Sequence, residues 1–222
     1  MTYDESIIVF DFDDTLFPTS FLQQFDYDIN MIDPSFQKLL FKILSKAIET
    51  KSKVYIVTNA QLKWVNYCFE NLIPEISVLK PYLNIVSATE YAMLNRKVSS
   101  TLELNNLSKC FMFDKIILDS NMHESKNSQF MSIGDGLPET VAMKFIKGKY
   151  PNITTKAIRF VEKPNYRDLC AQLLFLKKVF KKIFKETVDL DLSMKDSSDL
   201  SFNAQIETLF QEPEEVEKEL LW

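Results

Sequence analysis

A chain of 222 residues with 46% hydrophobic and 13% aromatic content is long enough for one sizeable domain with a buried core. No stretch approaches the ~18 to 20 unbroken apolar residues of a membrane span, and Met1-Thr2-Tyr3-Asp4-Glu5 is acidic where a secretory signal would be basic. The net charge of −5 is uneven: residues 189–222 hold ten acids against Lys195 and Lys218, a net of −8, which leaves +3 for residues 1–188. This composition predicts a domain over 1–188 and an acidic appendage over 189–222, partly helical between Phe202 and Gln211 and partly disordered.

Along the body, short apolar runs alternate with helical patterns, which predicts an α/β fold with a mainly parallel sheet. Ser6 to Asp11 is apolar at nearly every position, as a central strand covered on both faces requires. Pro34 suits the first turn of a helix whose apolar stripe is Phe36, Leu39, Leu40, Ile43, Leu44 and Ile48. Lys53–Thr58 is the second strand, followed by a helix from Gln61 to Leu72 that stops near Pro74. Leu83–Ser87 is a third strand, and Ser108–Leu118 a helix with Ser108 as its cap. Phe130–Ile133 and Ala157–Val161 are the fourth and fifth strands, and a long helix runs from Tyr166 to Lys185.

Residue counts exclude several chemistries. Three glycines cannot build a Walker loop, and Gly134 and Gly136 are followed by Glu139 where a dinucleotide fingerprint has its third glycine. Cys68, Cys110 and Cys170 are odd in number and scattered, so they predict free thiols in a reducing compartment, the cytoplasm with the nucleus equally open. None has an arginine six residues on, where Pro74, Ile116 and Leu176 stand, so a cysteine phosphatase loop is absent. The single histidine, His123, leaves little for triads or zinc. Carboxylates are what remain.

Two acidic segments each follow a buried strand: Asp11-Phe-Asp13-Asp14-Thr15 and Gly134-Asp135-Gly-Leu-Pro-Glu139. In open α/β sheets ligands collect beyond the carboxyl ends of strands, so both point to one crevice. Asp11, Asp13 and Asp135 gathered there repel one another without a cation, and hard oxygen donors favour Mg²⁺.

Asp11-x-Asp13-x-Thr15, a strand ending in Thr58, a downstream lysine and Gly134-Asp135-xxx-Glu139 resemble the four ordered motifs of the haloacid-dehalogenase (HAD) superfamily, over about residues 6–164. The resemblance implies a three-layer, Rossmann-like fold and an Mg²⁺-dependent phosphatase. Asp11 is then the nucleophile, forming an aspartyl-phosphate, and Asp13 the general acid and later the base. Dehalogenases and phosphonatases of the superfamily lack the second aspartate. Thr15 steadies the turn; Thr58, assisted by Asn59, holds phosphoryl oxygens. The metal ligands are Asp11, the Asp13 carbonyl and Asp135, with Glu139 orienting a metal water. Of Lys97, Lys109, Lys115 and Lys126, Lys109 best fits the third motif, for both catalysis and substrate binding. As a helix-start lysine it also opposes the macrodipole, a hint of a compensating anion.

No full cap domain fits between Thr15 and Lys53 or between Asn59 and Lys109; only a short flap over 16–33 and a small insertion over 89–107 remain. The resemblance then implies an open crevice and a bulky phosphorylated substrate, such as a phosphoprotein. Phe17, Phe21, Phe25 and Tyr27 of the flap are expected to pack it onto the sheet. The basic helix with Lys177, Lys178, Lys181, Lys182 and Lys185 is expected to pack its apolar side and leave its lysines in water; with three arginines in the chain and an acidic tail nearby, a nucleic-acid partner is not expected. Two other readings use the same residues: a non-catalytic phosphate-sensing scaffold, and a phosphotransferase or phosphomutase.

Overall fold

The computed structural model describes residues 3–95 and 101–194, with side chains described from residue 107 onward in the second stretch. Six strands, β1 (Glu5–Phe10), β2 (Lys53–Thr58), β3 (Leu83–Ser87), β4 (Ser128–Gly134), β5 (Thr154–Arg159) and β6 (Leu190–Ser193), form one sheet in the order β3-β2-β1-β4-β5-β6. Every pairing is parallel. Parallel strands need crossovers, and these are α2 (Ser35–Glu49), α5 (Thr101–Asp119), α6 (Leu137–Lys149) and α7 (Tyr166–Lys185), with the shorter α1 (Thr19–Gln23), α3 (Leu62–Tyr67) and α4 (Ala88–Leu94) in the connections. The result is a three-layer, Rossmann-like α/β fold.

The pleat explains the layers. In β1, Ile8 and Phe10 face one core with Val54 and Ile56 of β2, under α2 and α7; Ile7 and Val9 face the other with Val57, under α5 and α6. Both faces are covered, so alternate residues are apolar on both sides and the run reads as unbroken. Aromatic Phe36 of α2 and Leu173, Leu176 and Phe180 of α7 fill the first core; Phe113, Ile117 and Ile146 fill the second.

Several boundaries differ from the sequence-based ones for physical reasons. The sheet continues past residue 188: Leu190, Leu192 and Met194 are buried and Asp191 is exposed, so the head of the presumed acidic appendage is an edge strand paired to β5. Residues 195–222, including the helix expected at 202–211, lie outside the described residues, as does Lys97. β5 begins at Thr154 rather than Ala157, because β4 pairs from Gln129 and the buried Lys156 ammonium is hydrogen-bonded by Gln129 Oε1 at 2.6 Å and the Phe184 carbonyl at 2.7 Å. The helix expected over 61–72 is α3 followed by a wide turn at Cys68–Leu72, where Ile73 N–H donates to the Cys68 carbonyl, and a 3₁₀ stretch at Pro74–Tyr82. α5 begins at Thr101, so Ser108 is an interior residue and not a cap.

The 16–33 segment packs onto the body. Leu16, Phe17, Leu22 and Ile32 are buried; Phe17 stacks on Phe12 at 5.6 Å, Phe21 on Tyr166 at 5.4 Å, and Tyr27 meets Trp64 edge-on at 5.0 Å. Among the described residues no separate domain stands over the strand ends, and no helix is long and apolar enough to cross a membrane. Cys68, Cys110 and Cys170 are free thiols.

Candidate functional site

The strand order reverses between β1 and β4, and this switch point brings the two acidic segments together. Phe10 is registered on Ile133, and Asp11 N–H still donates to the Ile133 carbonyl at 2.8 Å, so Asp11 leaves the sheet beside Gly134 and Asp135. After Asp11 the chain coils tightly. The Phe12 carbonyl accepts from both Leu16 and Phe17 N–H at 2.9 Å, and Asp14 sits at φ 57°, a left-handed conformation aspartate tolerates better than most residues. The loop is then tied back to α1: Asp14 accepts from Ser20 N–H at 2.8 Å and from the Ser20 hydroxyl.

Lys109 projects from the interior of α5, 3% exposed, between two carboxylates. Its Nζ lies 2.5 Å from Asp11 Oδ1 and also donates to Glu139 Oε1. Because α5 starts well before Ser108, its N-terminal dipole does not act on Lys109; ion pairing with two acids accounts for its position. Glu139 is itself fixed at the start of α6, where Oε2 accepts from Gly136 N–H at 3.1 Å. Its stem lies flat on Gly134: a Cβ there would come within 2.4 Å of Glu139 Cγ and 2.9 Å of Cδ, so the glycine is required by close approach.

Carboxylate oxygens of Asp11, Asp135 and Glu139 all lie within 4.8 Å of one another. Burial, reinforced by Glu139 and Asp135, pushes the Asp11 carboxyl well above the usual range against the pull of Lys109. Burial, with Glu139 and Asp14, pushes Asp135 up to about 7. For Lys109, burial acts to lower the ammonium's pKa, but Asp11 and Glu139 outweigh it and hold it above the ordinary lysine value. With all three carboxylates ionised, one ammonium leaves negative charge uncompensated in a largely buried site. An all-oxygen donor set with that deficit fits a hard divalent cation.

The other anticipated residues surround this group. Thr15, fully buried, donates from Oγ1 to Asp135 Oδ1 at 3.5 Å. The Asp13 carboxylate is not one of the three converging acids: it accepts from Thr58 Oγ1 at 3.1 Å, Thr19 Oγ1 at 2.6 Å and Trp64 Nε1 at 3.0 Å. Thr58, at the end of β2, also accepts from Ala60 N–H at 2.8 Å, and Asn59 accepts from Ser108 Oγ at 2.8 Å, which links the β2 end to α5. Glu139 stands within the cluster itself, as close as Asp11 and Asp135. Lys115 pairs with Asp119 at 2.5 Å on the outer side of α5, and Lys126 is exposed in its loop.

Thr19, Trp64 and Ser108 were not anticipated. Thr19 closes on Asp13 six residues away, a short spacing that favoured a local bond; Trp64 and Ser108 reach partners 51 and 49 residues distant, for which no local pattern exists. The chain matches no known family, and no curated protein is similar to it.

Proposed function

We propose that the chain is an Mg²⁺-dependent phosphatase of the HAD type that hydrolyses a phosphate monoester through Asp11. The observation that carries this reading is the placement of Asp11 against Lys109, with Asp135 and Glu139 completing a carboxylate set within 4.8 Å at the switch point. A nucleophilic carboxylate must be ionised, and burial opposes that; the Lys109 ammonium offsets the penalty only in part, so a bound cation would be needed to complete it. Mg²⁺ held by Asp11, Asp135 and Glu139 would supply the rest of the charge compensation and neutralise phosphoryl oxygens.

In this reading an Asp11 oxygen attacks phosphorus, forming a P–O bond as the bond to the leaving oxygen breaks, and Asp13 gives that oxygen its proton. Asp13 then takes a proton from water as the water attacks the phosphoryl group, which releases phosphate and regenerates Asp11. Thr19, Trp64 and Thr58 fix the Asp13 carboxylate at the edge of the crevice. Thr58 and Asn59 mark the side from which phosphoryl oxygens are held. Among the described residues the 16–33 segment packs into the body and no lid stands over the strand ends, which favours a bulky substrate such as a phosphoprotein.

The test is phosphate release from a panel of monoesters, phosphopeptides included, with Mg²⁺, comparing wild type with Asp11→Asn. Release by the wild type, lowered at least about 10³-fold in a folded Asp11→Asn chain, is expected. Equal release by the two proteins would discard Asp11 as nucleophile. Release from no ester would point to a phosphate-binding scaffold, and transfer to an acceptor without net hydrolysis to a phosphotransferase.

A further inference from the structure

The molecule carries a second charged feature that catalysis at the switch point does not use. α2 and α7 lie side by side over the first core, and Lys46 Nζ of α2 reaches the Lys177 carbonyl of α7 at 3.1 Å. Lys38, Lys42 and Lys46 recur every fourth residue and fall on one stripe of α2; Lys178, Lys181 and Lys185 fall on one stripe of α7. Five of these six are exposed and Lys46 is half-buried. Among the described residues none of the six is in an ion pair. At the C-terminal ends of the two helices a hollow of about 610 Å³ is lined by Lys46, Lys181 and Lys185, with Glu49 as the one acid on its wall. Two apolar side chains are left open on the same helices, Phe41 at 38% and Leu174 at 53% exposed.

Like charges gathered on one face raise each other's free energy unless an anion lies across them. Residues 195–222 hold eight acids against Lys195 and Lys218, a net of −6, interspersed with Leu200, Phe202, Ile206, Leu209 and Phe210. Charge and apolar content thus both match the α2–α7 face. Reach is ample: 28 residues beyond Met194 extend to ~90 Å, against a diameter of roughly 40 Å for a domain of this size. A tethered segment acts at an effective concentration of about millimolar, which disadvantages free polyanions competing for the same lysines. The six positions are all lysine, without the arginines that grip phosphate bidentately, which also favours carboxylate over nucleic-acid backbone.

We propose that the α2–α7 lysine face is the intramolecular docking surface for the acidic segment 195–222 of the same chain. The inference is independent of the phosphatase reading. Zero-length carbodiimide coupling of the full chain, analysed by peptide mass spectrometry of the monomer band, tests it. Amide cross-links from acids such as Glu207, Glu212 and Glu214 to Lys42, Lys178 and Lys181 are expected, reduced about fivefold or more in ~0.5 M NaCl, where charges are screened beyond a few ångströms. The full chain with Lys42→Glu, Lys178→Glu and Lys181→Glu should lose the cross-links to the remaining face while keeping its Tm; should it misfold, the salt comparison on wild type still decides. Tail acids that couple elsewhere, couple only between chains, or couple equally at both salt concentrations would overturn the proposal. So would protection of these lysines from acylation by anionic lipid vesicles or a single-stranded oligonucleotide at physiological salt to a degree unaffected by deletion of 195–222.

Discussion

Removing the Lys109 ammonium would leave Asp11 and Glu139, each under 10% exposed, facing one another without a counter-charge. Truncating one member of a buried ionic group costs about 3–5 kcal/mol, because the remaining charge is stranded in low dielectric. Lys109→Met should therefore lower stability to denaturant by about that amount near neutral pH, and by less near pH 5, where the raised Asp11 carboxyl is held in its neutral form; a loss equal at both pH values would contradict the ionic account. Gly134 is a second sensitive point. Its Ala variant would drive a methyl into the Glu139 stem, which is held at one oxygen by Gly136 and at the other by Lys109 and cannot swing aside freely. Gly134→Ala is expected to cost about 1–3 kcal/mol and to weaken divalent-cation binding, measured by calorimetry.

Elements deliver these residues to the site through packing rather than local preference. α5 carries Lys109 and Ser108 from its interior, because a helix once nucleated on a packed face propagates at one hydrogen bond per added residue. The small insertion expected over 89–107 already includes the first turns of α5, which begins at Thr101. β6 was obscured in another way: Leu190-Asp191-Leu192 has the two-residue alternation of a strand, but its acidic surroundings outweighed that signal. The α2–α7 pair anchors the first core, and Leu176 is fully buried between the sheet and α7. Leu176→Ala should destabilise by about 2–5 kcal/mol and leave the switch-point acids in register; unfolding by urea and Mg²⁺ binding of the folded fraction check the two halves of that statement.

For the whole molecule, the acid cluster couples stability to pH and, in the proposed reading, to a cation. Asp11 and Asp135 have folded-state values raised above those of an unfolded chain, so the stability they contribute is present in acid and is lost as pH rises through the folded value, about 7 for Asp135. A divalent cation that binds the ionised carboxylates of the folded state alone reverses the loss by mass action. The rise in Tm on adding millimolar Mg²⁺ should accordingly be larger at about pH 8 than at about pH 5.5, with Ca²⁺ and monovalent salt as controls. An increment independent of pH, or equalled by monovalent salt, would show that these carboxylates do not hold the ion.

The identity of β1 to β5 and the parallel α/β class were legible from residue pattern alone, because apolar runs such as Ile7–Phe10 and Val54–Val57 are dictated by burial on both faces. Asp11 and Asp135 were candidates as carboxylates directly after buried strands, whereas Glu139 and Lys109 entered through the resemblance to the HAD motifs. Which of them touch was decided only by the fold: the register of β1 on β4 sets Asp11 beside Asp135, and the pitch of α5 aims Lys109 between Asp11 and Glu139. The same holds for Trp64 and Thr19 on Asp13. Periodicity reports which face of an element is buried; contacts between side chains dozens of residues apart depend on how the layers are stacked, and that information resides in the packed core.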